Sequence, residues 1–125
     1  MNWRGLKFAA SATLAGAAVA ASPASPPVPA GWKVDVSARG DLTGDGIADV
    51  AMVIRRANPR GIVQNDGLGT QQLDTNPRQL VVFAGNGRGF RQIAASKLLI
   101  PPAGSTDSPC LEDPLTEGGL AIARG

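Results

Sequence analysis

Apolar and polar residues alternate one by one near position 32, with Trp32, Val34 and Val36 set against Lys33, Asp35 and Ser37. A period of two predicts a half-buried β-strand. Residues 49–55 (DVAMVIR) and 79–84 (QLVVFA) are short runs rich in β-branched residues and bounded by turn residues, which predicts two further strands. Gly85-Asn86-Gly87-Arg88-Gly89 supplies the positive-φ residues of a tight hairpin, with residues 90–95 as the returning strand. No stretch carries a helical period over three turns. The pattern predicts an all-β chain built on a small antiparallel sheet.

Two polar regions interrupt it. Residues 57–78 are long and dotted with Asn-Pro, Asn-Asp-Gly and Gly, and loops of this length are often functional or mobile. Asn-Pro-Arg occurs at 58–60 and again at 76–78. Turn initiation by Asn-Pro accounts for both copies without a true repeat. Residues 101–119 form a second loop whose acidic members, Asp107, Glu112, Asp113 and Glu117, read as a solvated face rather than a second metal site. An apolar stretch at 120–124 resembles a strand without a neighbour. The expectation is therefore the front part of a longer architecture, incomplete at its C-terminus. Self-association through an open sheet edge would follow.

The N-terminus carries a different pattern. Arg4 and Lys7 precede an apolar run at 8–21, and Ala18-Val19-Ala20 offers small residues at the −3 and −1 positions of a signal-peptidase site. The run has 14 residues, short of the roughly 20 that span a bilayer. The expected reading is a signal peptide at 1–20, cleaved after Ala20, and a periplasmic or secreted mature chain. Residues 22–30 (SPASPPVPA) predict an extended Pro-rich spacer, which places a linker at 21–30 and the β domain at 31–125.

Charge then excludes some partners. The chain has 12 Lys plus Arg and 10 Asp plus Glu. Arg4 and Lys7 leave with the signal, so the mature chain is formally neutral, and its remaining basic residues are scattered. That argues against nucleic acid, which needs a basic stripe with stacking aromatics. It also argues against a membrane partner after cleavage. Cys110 has no internal disulfide partner. In an exported chain it is a bridge to another molecule, a thiol whose partner is missing, or a tolerated free thiol.

The chemistry concentrates at Asp41-Leu42-Thr43-Gly44-Asp45-Gly46-Ile47-Ala48-Asp49. Oxygen-bearing side chains fall at positions 1, 3, 5 and 9, with Gly46 at the sharp turn. A calcium ion takes six to eight oxygens in a flexible shell. Asp41, Thr43, Asp45, the Ile47 carbonyl and Asp49 would supply them. Three carboxylates at separations of about 5 Å repel by roughly 1 to 3 kcal/mol per pair, and a divalent cation reverses that sign. The same residues also suit a polar turn whose Asp side chains cap backbone N–H groups and bind nothing. The loop is not an EF-hand, because position 12 is Met52 in a predicted strand.

GDLTGDGIADVAMVI, followed downstream by QLVVFAGNGRGF, resembles the FG-GAP or VCBS-type repeat over about residues 39–90. That repeat joins a D-x-[DN]-x-D-G-x-x-D calcium loop and strand to a second strand ending in a glycine turn and an aromatic, here Phe90. The resemblance implies a sheet like a single propeller blade. It also implies Asp41, Asp45 and Asp49 as ligands of a structural calcium, and adhesion or carbohydrate-facing roles with a protein or glycan partner. The segment between the motifs is longer than usual, and there is one copy where the family aligns several.

Catalysis is not expected. The chain has no His and no Tyr, which removes the His-dependent nucleophile arrangements. The expected function is that of an exported, calcium-stabilised β-module with a binding or structural role. The alternatives are an inhibitor or adaptor that uses the 57–78 loop, and a fragment of a carboxylate-based glycoside hydrolase. The few aromatics disfavour the latter.

Overall fold

A computed structural model describes residues 24–123. The signal peptide assigned to 1–20 lies outside them. Six strands form two sheets. Four of them, β1 (Trp32–Gly40), β2 (Asp49–Arg56), β5 (Arg78–Gly85) and β6 (Phe90–Ser96), pair antiparallel in the order β1-β2-β5-β6. This is the expected small antiparallel sheet, with the strand number of one propeller blade. Between β2 and β5 the polar 57–78 segment is structured. A 3-10 turn at Pro59–Gly61 leads into a two-stranded sheet of β3 (Ile62–Gln64) and β4 (Gln72–Asp74). A five-residue helix, α1 (Pro114–Gly118), is capped by the Asp113 side chain, which accepts from Leu115 N–H. Among the described residues no helix is long and apolar enough to cross a membrane.

The central strand β2 is covered on both sides: Asp49 through Ile54 are all buried. On the first face Val50, Met52, Ile54, Val81 and Phe83 form the core cluster, with Val28, Trp32 and Phe90 packed against it. Val28 belongs to the stretch expected as a spacer. Pro26 is buried and the Ala24 carbonyl accepts from the Arg39 guanidinium at 2.8 Å, so residues 24–30 lie on the domain.

The alternation in β1 does not hold to its end. Trp32 and Val34 pair with Arg56 and Ile54, but a bulge at Asp35 puts Val36 opposite Val53. Because successive residues point to opposite faces, the inserted residue sends Val36 to the second face. There Val53 is completely buried. Residues 120–123, expected as a strand, form none. Instead Ile122 lies so close to Gly40 that a Cβ there would come within 2.9 Å of it.

Candidate metal centre

The loop between β1 and β2 follows from its own side chains. Asp41 Oδ1 accepts from Gly44 N–H at 2.7 Å and Oδ2 from Gly46 N–H at 2.8 Å. Asp45 Oδ1 accepts from Ile47 N–H at 2.9 Å. Gly44 and Gly46 both adopt φ of 80°, the left-handed region open to glycine. The turn chemistry foreseen as the alternative to metal binding is therefore present. It coexists with convergence: one carboxylate oxygen from each of Asp41, Asp45 and Asp49 lies within 4.8 Å of the others.

Asp49 differs from its two companions. It is fully buried, while Asp45 is exposed. Asp49 Oδ2 accepts from Leu42 and Thr43 N–H, both at 2.8 Å, and Oδ1 accepts from Gly85 N–H at 2.9 Å. The Gly85 and Thr43 amides hold its carboxyl below the usual carboxylate range against the opposing effect of burial, and Leu42 N–H and the Thr43 hydroxyl assist. Hydrogen bonds to the charged form lower a carboxyl pKa, and here they outweigh desolvation. Asp49 thus joins two turns, its own loop and the glycine hairpin. The sequence showed the hairpin but gave no sign of this connection. Gly85 is required there because a Cβ would run into the Ala48 carbonyl oxygen.

The remaining expected ligands are placed less directly. The Thr43 hydroxyl supports Asp49, and Ile47 contributes its N–H to Asp45. The donor set suits a hard cation, since an ionised carboxylate has about four acceptor positions and only some are used by amides. The second acidic group is not a solvated face throughout. Asp113 forms a two-point pair with the buried Arg78, Nη1 to Oδ1 at 2.8 Å and Nη2 to Oδ2 at 2.5 Å. Asp107 and Glu112 are exposed. Among the described residues Asp41, Asp45 and Asp49 form the one acidic group with metal-ligand spacing.

Comparison with protein families, curated proteins and solved structures gives no significant match to this chain.

Proposed function

We propose that the mature chain is an exported, calcium-stabilised β-module of the FG-GAP or VCBS type with a non-catalytic binding or structural role. The observation that carries this reading is the convergence of Asp41, Asp45 and Asp49 within 4.8 Å, on a loop that Asp49 ties to the β5–β6 turn. Asp41, Asp45 and Asp49 would hold the ion, with Thr43 and Ile47 completing the loop around it. The ion would neutralise three carboxylates drawn together by the turn, and so favour the folded loop.

The geometry also supports a preference for calcium over magnesium. Amides already hold oxygens of all three carboxylates, so a shell here would mix carboxylate with other oxygens on a curled loop. Calcium accepts such shells, whereas Mg²⁺ demands near-ideal octahedral geometry and dehydrates reluctantly. A ligand at tenfold excess over its Kd stabilises the folded state by about 1.4 kcal/mol. Millimolar Ca²⁺ should therefore raise the melting temperature of residues 21–125 by several degrees, and Mg²⁺ by much less. Identical melts in EDTA and in Ca²⁺ would overturn the metal assignment.

A further inference from the structure

The C-terminal segment, residues 101–123, crosses the second face of the sheet without pairing as a strand. Ala103 and Leu115 line one cavity with Val36 and Arg78, and Ile122 lies on Gly40. Val53 and Ala51 share this face and are both buried. Its attachments to the rest of the domain converge on a few groups. Gly104 N–H donates to the Asp74 carbonyl at 2.9 Å. Arg78 Nη1 reaches the Pro101 carbonyl at 3.5 Å, and its two terminal nitrogens grip Asp113.

Arg78 is itself fixed from behind. Its Nε lies 2.8 Å from Asp35 Oδ2, an ionic contact rather than an aligned hydrogen bond. Its side chain is 4% exposed. One guanidinium therefore joins the sheet to both the start and the middle of the segment. A two-point pair to a buried guanidinium is strong once made and costly to break. The rest of the segment has few backbone bonds to the sheet, which is the mark of a unit that opens on its own.

We infer that residues 101–123 form a strap latched by Arg78 and Asp113, which opens as a unit while the four-stranded sheet stays folded. Opening uncovers the apolar strip around Val53 and leaves Arg78 and Asp35 at its edge. The inference does not depend on the metal centre, which lies in the β1–β2 loop.

Residue-resolved amide exchange on the mature chain tests it, with Gly104 reporting the strap and Val53 and Val82 reporting the sheet. In wild-type protein under low urea, Gly104 should exchange at least tenfold faster than the sheet amides and with weaker urea dependence. Asp113→Asn keeps an effective helix cap but removes the charge. It should speed Gly104 exchange at least a further tenfold and leave Val53 unchanged. Gly104 exchange that matches Val53 in rate and urea dependence overturns the strap. An Asp113→Asn variant in which Gly104 does not accelerate, or accelerates no more than Val53, overturns the latch. Should that variant fail to fold, the wild-type urea series decides alone.

Discussion

Arg55 and Arg78 stand directly opposite one another on β2 and β5. Like charges in that position repel across the sheet. The fold resolves the conflict with carboxylates from three distant parts of the chain. Asp35, the bulged residue of β1, contacts both guanidinium groups, Arg55 Nε at 2.9 Å and Arg78 Nε at 2.8 Å. Asp74 pairs with Arg55 and Asp113 with Arg78. Asp35 lies on the face of Val53 and the two arginines in either register, and the bulge adds Val36 to that face.

Replacing Asp35 by Asn should leave the arginine pair under-neutralised. The expected loss is about 2 to 3 kcal/mol, below the 3 to 5 of a fully buried broken pair because Arg55 is partly exposed. Urea denaturation measures it. A loss under about 0.5 kcal/mol, the range of ordinary surface substitutions, would mean that Asp74 and Asp113 suffice.

The two Asn-Pro-Arg segments meet in space. Asn76 Nδ2 donates to the Asn58 carbonyl at 2.9 Å, and Asn76 Oδ1 accepts from Asn58 N–H at 3.2 Å. Asn76 is 3% exposed, and Asn58 is exposed with its side chain capping the 3-10 turn. Asn76→Ala takes the acceptor from Asn58 N–H, while the Asn58 carbonyl keeps Gly61 N–H, and with the buried amide lost it should cost about 2 kcal/mol. Asn58→Ala removes only a cap and should cost about 1 kcal/mol. Equal losses in equilibrium unfolding would show that burial of Asn76 is unimportant.

Asp45 and Asp49 should separate metal binding from loop closure. Asp45→Ala should abolish the calcium increment in melting temperature and leave the EDTA melt nearly unchanged. Asp49→Ala should lower the melt in both solutions, because Leu42, Thr43 and Gly85 amides lose their acceptor. Gly85→Ala should resemble Asp49→Ala. If Asp49→Ala melts like wild type in EDTA, the link between the two turns is not what holds this end of the sheet.

Acid should destabilise the protein in a defined window. Asp49 and Asp113 both ionise below the usual carboxylate range, Asp49 through backbone amides led by Gly85 and Asp113 through Arg78. Their unfolded counterparts titrate at about 3.9, so below that value the unfolded chain binds more protons. The stabilisation is present above about pH 4 and is lost as pH falls through the lower folded values. The melting temperature should be flat from pH 7 to pH 5 and fall below pH 4, with a shallower fall in Asp113→Asn. A melt unchanged down to pH 2.5 would contradict both assignments.

The sequence by itself determined the strands of the main sheet and the acidic loop. Both are local: β-branched runs set the strands, glycine sets the hairpin and the loop, and short Asp side chains bond amides two to five residues away. Tertiary structure decided which face each residue occupies. With both faces of β2 buried, its apolar run carries no alternation to read, and one bulged residue in β1 reverses Val36 without altering the pattern of the sequence. It also decided that Asp113 is the half-buried partner of a buried arginine rather than a solvated charge. Arg78 lies 35 residues from it, and Coulomb attraction depends on distance in space, which spacing along the chain does not report.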